Sequence, residues 1–348
     1  MDEFKLVEKL HNGHILDRAE WTALIRGYTP ELAERVFELA REWQHRYYGN
    51  RIFVRGLIEM TNYCRNDCYY CGIRRSNRNA ERYRLTWEEI RECADLGAAI
   101  GYRTIVLQGG EDPFYSDEEI AEIVREIKAD HPDCAVTLSL GEREHETYRK
   151  WYDAGADRYL LRHETADPDH YRMLHPAELS GEHRKNCLRD LKAIGYQTGA
   201  GMMIGAPGQT PELLAEDMLF LQELQPEMVG IGPFIPHHDT PFANEPQGSV
   251  EQTIYLLGLI RLTLPRVLLP ATTALGTADP FGREKGVQAG ANVIMPNLSP
   301  ADVRKKYELY DNKICTDSEA AENLRELQDR MKAVGYEIVT DRGDYKWA

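Results

Sequence analysis

Short apolar runs alternate with amphipathic stretches over most of this chain, and the alternation restricts its fold more than any other feature. The apolar runs fall at 52–59, 104–108, 134–140, 157–162, 197–204, 227–232, 266–271 and 291–295. The amphipathic stretches fall at 86–100, 116–130, 144–155, 181–195, 210–224, 249–263 and 282–290. Strands that alternate with helices form parallel sheets, because each crossover helix returns the chain to the same edge. Eight units predict an α/β fold, a complete (β/α)8 TIM-type barrel, with a doubly wound open sheet as the alternative.

The two ends of the chain predict additions to this barrel. Residues 1–50 read as helical, and the stretch 30–48 has a helical apolar period that begins after Thr29-Pro30. We therefore expect a helical N-terminal extension over 1–50, the barrel over 51–310, and a short C-terminal segment over 311–348 that packs on the barrel.

The charge balance argues against several classes of partner. The 348 residues include 57 acidic and 42 basic side chains, a net charge of −15. An acidic chain is a poor match for nucleic acid or an anionic membrane surface. No apolar run is long enough to span a membrane, and the first residues are polar and charged. Seven cysteines, three of them in one loop, fit a reducing compartment, so we expect a cytoplasmic protein.

Three cysteines are spaced C-x3-C-x2-C in the loop after the first predicted strand: Cys64, Cys68 and Cys71. Three thiolates bind three irons of a [4Fe–4S] cluster and leave the fourth iron open to a ligand. S-adenosylmethionine (SAM) suits that iron, because its amino and carboxylate groups chelate it. A zinc knuckle or a redox cysteine pair is the alternative, but zinc usually takes four ligands and no fourth lies nearby in sequence.

This loop resembles the signature of the radical-SAM superfamily, in which an aromatic residue such as Tyr70 precedes the third cysteine. The resemblance implies an enzyme that cleaves SAM reductively and forms a 5′-deoxyadenosyl radical. The turn Gly109-Gly110-Glu111 after the second predicted strand resembles the motif that holds the SAM amino group in this superfamily. An ordinary strand-to-helix turn is its alternative.

Three charged side chains near the fourth predicted strand are further candidates for binding SAM. Arg162 and Glu164 lie two residues apart at the strand end, so both would face one side. A guanidinium can pair with the SAM carboxylate, and a carboxylate with ribose hydroxyls or the sulfonium. Arg184, early in the next helix, could also reach the SAM carboxylate. A structural ion pair at the rim and a solvated helix charge remain the alternatives.

Candidates for the substrate end of the cavity come from the other strand ends. Buried hydroxyls there would need a partner, whereas a lone methionine on a strand usually belongs to the core. Two tyrosines three residues apart on a helix after the eighth strand would share a face, with simple packing as the equal alternative. The candidates are Thr137, Met228, Thr272, Thr273, Met295, Tyr307 and Tyr310.

A combination of five segments is similar to the HydE family of [FeFe]-hydrogenase maturases. The segments are RYLLRHETA (158–166), TGAGMMIGAPGQT (198–210), MVGIGPFIPHHDTP (228–241), PATTALGT (270–277) and GANVIMPN (290–297). The resemblance implies an iron–cysteine substrate that carries carbon monoxide and cyanide and comes from a partner maturase. The adenosyl radical would act on it in assembly of the hydrogenase subcluster. By motif position, the residues named above would hold the cluster, SAM and the substrate, and an electron donor is required.

Two other functions remain open at this point. One is a radical-SAM enzyme on a small organic substrate, related to methylornithine synthase or biotin synthase. The other is a non-enzymatic iron–sulfur scaffold, which would not need SAM-directed strand ends. Some members of the resembled family carry a second iron–sulfur site near the C-terminus, but only Cys315 stands in that region, so we expect no second cluster there.

Overall fold

The structure, a computed structural model, describes residues 2–314 and 320–347. The helices are α1 (Glu3–Gly13), α2 (Arg18–Arg26), α3 (Pro30–Tyr48), α4 (Trp87–Ala99), α5 (Asp117–Asp130), α6 (His145–Asp153), α7 (Pro168–Leu174), α8 (Gly181–Ile194), α9 (Pro211–Leu224), α10 (Val250–Thr263), α11 (Thr273–Ala278), α12 (Gly282–Gln288), α13 (Ala301–Arg304) and α14 (Ala320–Ala333). The strands are β1 (Arg51–Val54), β2 (Gly56–Thr61), β3 (Thr104–Gly109), β4 (Ala135–Ser139), β5 (Arg158–Leu160), β6 (Gln197–Ala200), β7 (Met203–Ile204), β8 (Met228–Val229), β9 (Gly232–Pro233), β10 (Val293–Ile294) and β11 (Glu337–Val339).

The central element is a six-stranded sheet in the order β2-β3-β4-β5-β6-β8. Every pair in it is parallel, which confirms the predicted α/β class. Single parallel bridges carry the pairing further, at Met228↔Leu268, Pro270↔Val293 and Leu57↔Asn297. The last of these bridges returns to β2. The predicted run 266–271 therefore takes part through isolated bridges.

The first predicted strand, 52–59, divides at Arg55 into two strands of different sheets. The segment before Arg55 forms β1, which pairs with β10 and β11 in a three-stranded parallel sheet. The segment after it forms β2, in which all six residues are buried. Arg55 itself is buried at this junction. A polar residue within the run thus marks the point where the chain changes sheets.

The helices begin where the sequence places capping residues. The Thr86 and Glu89 side chains form a capping box at the start of α4, and Ser116 and Glu119 form one at α5. At the end of α8, Gly195 takes a left-handed conformation, with φ 113°. These caps fix the helix starts and ends, and thereby the loops at the carboxyl ends of the strands.

One prediction about helices is wrong, and two short helices were missed. Tyr307 and Tyr310 do not share a helix, because α13 ends at Arg304 and the chain beyond it is irregular. The short helices α7 and α11 were not predicted, since seven and six residues are too few to show an amphipathic period.

The C-terminal segment covers the amino end of β5. Arg158, fully buried, donates to the carbonyl of Arg342 and the carboxylate of Asp344, each at 2.7 Å. Cys315, and with it the expectation of no second cluster, lies outside the described residues. Within the two described ranges, no helix combines the length and apolar character that crossing a membrane requires.

Candidate active site

The three cysteines lie on one loop that follows β2, and its backbone is tied down at several points. The Cys71 N–H donates to the Cys68 carbonyl at 3.3 Å. Arg82 donates to the carbonyls of Asn62 and Ile73 and to two further carbonyls of the same loop. One partly buried guanidinium thus holds four carbonyls of the loop, and the cysteines lie on a fixed backbone.

The cysteine side chains are each partly buried. Burial raises the pKa of Cys64, raises that of Cys68 well above its ordinary value, and raises that of Cys71 to about 12. The charges of Glu164 and Arg184 also act on the pKa of Cys68, so both side chains lie near this loop. Thiols that resist ionisation without a metal gain their negative charge on metal binding, which is the chemistry of an iron–sulfur ligand set.

The turn at the end of β3 passes directly beneath the cysteine loop. A Cβ on Gly110 would lie 2.1 Å from the Tyr63 carbonyl oxygen and 2.8 Å from Cβ of Cys64, so no side chain fits there. The Gly109 position is less crowded, with its nearest atom 3.0 Å from a built Cβ. Close approach of backbone to backbone explains the glycine at 110.

Glu111, the third residue of this turn, is buried and held on both sides. The Arg65 Nε donates to its Oε2 at 3.0 Å, and the Glu142 N–H donates to its Oε1 at 2.9 Å. Gly141 has φ 78°, and a Cβ there would lie 2.0 Å from Cγ of Glu111. Residues that follow β3 and β4 therefore fix the position of the Glu111 carboxylate together.

Arg162 and Glu164 lie on one side, as the sequence predicts, but for a different reason, and they form the ion pair given above as the alternative. The strand β5 ends at Leu160, so strand alternation does not orient them. Glu164 instead takes a left-handed backbone with φ 66°, and its Oε2 lies 3.2 Å from Nη2 of Arg162. The Nε and Nη2 of Arg162 and the Oε2 of Glu164 are buried without a hydrogen-bond partner among the described residues. These atoms are available to a ligand.

Arg184 is buried at the same site rather than solvated. Its Nε lies 2.7 Å from Oε1 of Glu142, and its Nη1 donates to the Arg162 carbonyl at 3.1 Å. Its Nη2 lies 4.0 Å from Glu111, and its Nε 3.3 Å from the Tyr171 hydroxyl. Arg184 thus connects the carboxylates at the ends of β3 and β4 to the segment after β5.

The hydroxyl of Tyr70 is fixed by a histidine that the sequence did not single out. His175 Nδ1 must donate to the Tyr171 carbonyl, at 3.0 Å, so its Nε2 accepts from the Tyr70 hydroxyl at 3.1 Å. Burial, with the nearby charge of Arg184, lowers the pKa of His175 to about 3. A neutral imidazole therefore anchors the aromatic residue between two of the cysteines.

Two of the substrate candidates, Thr137 and Met228, are buried in the sheet, and Met228 contacts a buried arginine. The Oγ1 of Thr137 is buried and has no partner within the described ranges. Arg55 donates through Nη1 to Sδ of Met228 at 2.9 Å, while its Nε and Nη2 lack partners in the same part of the chain. Burial lowers the pKa of Arg55 well below its ordinary value. This interior is polar rather than filled with aliphatic side chains.

The remaining candidates surround a second group of polar residues. Thr273 and Met295 line a cavity of about 90 Å³, together with Glu59, Asn297 and Lys313. The Lys313 ammonium donates to buried Glu59 and, at 2.8 Å, to the carbonyl of Tyr307. This cavity adjoins the Tyr307 segment, so its polar lining and a substrate candidate meet in one place.

The hydroxyl groups of the other substrate candidates already make some hydrogen bonds within the protein. Thr272 caps α11, and its hydroxyl donates to the Ile231 carbonyl at 3.2 Å. The Tyr307 hydroxyl accepts from Gln108 at 3.3 Å and keeps its own proton to donate. Tyr310 lies within reach of the charges of Glu59, Arg283 and Arg162, although burial dominates the rise of its pKa. The segment that carries both tyrosines thus bridges the SAM candidates and the cavity.

Sequence reasoning did not select several residues that contribute to this site. They are Glu59, Glu142, Tyr171, His175 and Lys313. A charged residue inside an apolar run is a usable signal for Glu59, because it is costly to bury without a role. The residue Glu142 follows a strand end, where barrel sites collect their side chains. Lys313 and His175 carry no such signal.

Comparisons with known proteins were made on the sequence and on the structure. The Radical SAM superfamily profile matches residues 58–221. The chain is 54% identical over 282 residues to the [FeFe] hydrogenase maturase subunit HydE of Thermotoga maritima, covering 81% of this chain and 80% of that protein. It is 28% identical over 332 residues to 3-methylornithine synthase of Methanosarcina acetivorans, covering 95% and 92%.

Two solved structures resemble the fold over most of the chain. Methylornithine synthase (PylB) aligns with a TM-score of 0.81 and 26% identity, covering 96% of this chain and 97% of that one. HydG, a maturase of the [FeFe]-hydrogenase, aligns with a TM-score of 0.79 and 22% identity, covering 96% and 75%. At 22% identity the second likeness concerns the fold alone.

Proposed function

The chain belongs to the family of the [FeFe]-hydrogenase maturase HydE, within the radical-SAM superfamily, and we propose that it acts in assembly of the hydrogenase active-site subcluster. Its substrate would be an iron–cysteine complex that carries carbon monoxide and cyanide. A partner maturase would supply this complex. The protein would act in the cytoplasm and would receive its electron from a separate donor.

A [4Fe–4S] cluster and SAM fit the residues that the structure brings together. Cys64, Cys68 and Cys71 would hold the cluster, which when reduced supplies the electron that cleaves SAM to a 5′-deoxyadenosyl radical. Support for this fit comes from the unpartnered buried atoms of Arg162 and Glu164, since a guanidinium matches the SAM carboxylate and a carboxylate matches ribose hydroxyls. This ion pair beside the cysteine loop, whose buried atoms lack hydrogen bonds, is the observation that carries the proposal.

The other residues would position SAM and the substrate without taking part in bond cleavage. The Gly109 and Gly110 backbone would receive the SAM amino group, and Glu111 and Arg184 would complete its polar surroundings. The substrate would lie against Thr137, Met228, Thr272, Thr273, Met295, Tyr307 and Tyr310. Fixed hydroxyls of this kind orient an anionic ligand without a strong base.

We also propose that the strands close into a complete (β/α)8 barrel over 51–310, preceded by the helical extension 1–50 and followed by the segment 311–348. Three single bridges that return the pairing from β8 to β2 support closure. The parallel pairing of β11 with β1 supports a C-terminal segment packed on the barrel.

Omission and restoration in an anaerobic maturation mixture tests this function. Hydrogenase activity should depend on this chain, and Cys68→Ala should not restore it, because the cluster would lose a ligand. The control is Cys93→Ala, which removes a buried thiol from α4, outside the site. If a chain with a full cluster cleaves SAM but restores no activity, the substrate assignment is wrong.

A second candidate is a radical-SAM enzyme that acts on a small organic substrate. The fold likeness to methylornithine synthase over 96% of the chain favours it. Biotin-type sulfur insertion would need a second cluster inside the barrel. Cys134, the candidate ligand for it, lies just before β4 with its Sγ 3.6 Å from the Tyr102 carbonyl oxygen, which points to a packing role.

A further inference from the structure

The segment 62–84, which carries the three cysteines, concentrates positive charge in an acidic protein. It contains six arginines against one aspartate and one glutamate, whereas the whole chain has a net charge of −15. An anionic partner would therefore be repelled by most of the surface and attracted to this loop.

Four of these arginines are engaged within the loop or beside it. Arg74 makes a bidentate pair with Asp67, both bonds at 2.8 Å. Arg82 donates to backbone carbonyls. Arg84 pairs with Asp112 at 2.7 and 3.0 Å, and Arg65 with Glu111 at 3.0 Å. Arg65 and Arg75 nevertheless keep more than half of their side chains exposed.

An exposed surface of mixed aromatic and basic character follows from the remaining contacts. We call it the outer patch, and it consists of Tyr63, Arg65, Arg75, Arg84 and Phe114. The Arg84 guanidinium lies 3.8 Å from the ring centre of Tyr63 and 4.4 Å from that of Phe114, which joins the two rings. The Arg75 N–H donates to the Asn66 carbonyl at 2.8 Å, which places the Arg75 backbone against the residue that follows Arg65.

The outer patch is accessible, and the carboxylates that pair with its Arg65 and Arg84, those of Glu111 and Asp112, are buried beneath the surface. Phe114 is 60% exposed and Tyr63 37% exposed. The Arg75 side chain is 60% exposed and lies 3.6 Å from Glu178, a loose surface pair of little energetic weight. Exposed aromatic rings among arginines are the composition that protein interfaces favour.

We propose that the outer patch is the docking surface for a small acidic one-electron carrier protein that reduces the cluster. Tyr63 and Arg65 flank Cys64, so a carrier on this patch would lie beside a cluster ligand. One electron passes from the carrier, which is oxidised, to the cluster, which is reduced. The SAM candidates Glu111, Glu164 and Arg184 are buried, so a docked protein would not reach them. This inference rests on the proposed function, because only a redox-active cluster needs such a carrier.

Charge reversal at one arginine tests the docking surface. Fully reduced flavodoxin serves as the acidic carrier, and the rate of cluster bleaching is followed by stopped-flow absorbance at low ionic strength. Arg75→Glu should lower the second-order rate constant about tenfold, since rim charges act mainly on association. Added salt should lower the wild-type rate and narrow this difference. With dithionite, a small reductant, the two proteins should cleave SAM at equal rates.

The matched control is Arg149→Glu on the outer helix α6. Arg149 has an exposed side chain and one loose ion pair, 3.7 Å from Asp153, like the pair of Arg75. Flavodoxin should reduce the cluster of the Arg149→Glu variant at the wild-type rate. Equal rates for Arg75→Glu and the wild type would overturn the proposal, as would an equal loss in both arginine variants.

A second variant covers damage to the cysteine loop. If Arg75→Glu also slows the dithionite reaction, Phe114→Ala, outside that loop, decides the question. It should raise the flavodoxin concentration needed for half-maximal reduction about threefold or more, and an unchanged value would overturn the proposal. A wild-type chain that holds a cluster but cleaves no SAM with dithionite contradicts the proposed function instead, and the bleaching rates still test the surface.

Discussion

The Arg162 guanidinium lies 3.2 Å from the Glu164 carboxylate, and the backbone of Glu164 has a φ of 66°. A side chain other than glycine in this region costs about 1–3 kcal/mol and persists where the surroundings require it. Buried atoms of this ion pair lack hydrogen bonds among the described residues, so both side chains can still bind a polar ligand. Backbone strain and an unsatisfied carboxylate oxygen thus coincide at Glu164.

Replacement of Glu164 by glycine should separate binding from stability. Because glycine accepts a positive φ, Glu164→Gly gains about 1 kcal/mol at the backbone. It also leaves Arg162 without its ion pair, so the net change in the free energy of unfolding should be smaller than this gain or negative. The variant should bind SAM at least tenfold more weakly, because it lacks the carboxylate. Anaerobic calorimetry of SAM binding and urea unfolding measure the two effects.

The matched control for this substitution is Gln225→Gly. Gln225 ends α9 with φ 49°, so it carries a similar backbone cost away from the site. The control should gain about 1 kcal/mol in the free energy of unfolding, because no ion pair is lost, and it should bind SAM as the wild type does. Unweakened SAM binding by Glu164→Gly would remove Glu164 from the site.

Substitution of Gly141 should disturb Glu111 from a distance. Gly141→Ala adds a Cβ 2.0 Å from Cγ of Glu111 at a residue with φ 78°, so backbone strain and a clash act together. We expect a loss of about 3 kcal/mol in the free energy of unfolding, with weaker SAM binding because the Glu111 carboxylate is displaced. Urea unfolding and SAM titration check this outcome.

The variant Gly335→Ala separates the backbone strain from the clash with Glu111. Gly335 has φ 90° with open space around its Cβ position, so only the backbone cost of about 1–2 kcal/mol applies. Its SAM binding should be normal. If both variants lose equal stability and both bind SAM normally, Gly141 does not shape the carboxylate position.

Removal of the buried charge of Arg184 should lower the free energy of unfolding. Arg184→Met keeps the volume but leaves Glu142 without its ion pair at 2.7 Å. Loss of one partner of a buried pair costs about 3–5 kcal/mol. Thermal unfolding of the variant should therefore shift clearly downward. The double variant Arg184→Met/Glu142→Gln should recover part of the loss, and no recovery would show that the pair is not coupled.

Local patterns predicted the parts of the site that are contiguous in sequence. Cys64, Cys68 and Cys71 follow a strand with a fixed spacing, and Gly110 shows its role through the absence of a side chain. The helix starts at Thr86 and Ser116 were also readable, because a capping box spans only four residues. Short-range chemistry accounts for each of these successes.

Residues joined by the fold could not be found in the same way. Glu59 and Lys313 form a buried ion pair although 254 positions separate them. Lys313 lies in an irregular segment, where neither helical nor strand periodicity indicates which way a side chain faces. The expected helix around Tyr307 failed for a related reason, since a three-residue spacing is helical only if the backbone is helical.

The buried His175 should give the protein a distinct loss of stability in acid. The folded state holds its imidazole neutral, with the pKa lowered to about 3, while an unfolded chain takes up the proton near its ordinary value of about 6.5. Between these values the unfolded state binds more protons, so the free energy of unfolding falls as the pH falls. Each pH unit below about 6.5 should lower the free energy of unfolding by up to about 1.4 kcal/mol.

In the cluster-free protein, the urea midpoints at pH 7.5 and 5.5 should differ less for His175→Gln than for the wild type. His45→Gln, which changes an exposed histidine at the end of α3, should keep the wild-type difference. A wild-type difference in His175→Gln as well would show that the imidazole is protonated in the folded state and that Tyr70 is held by another contact.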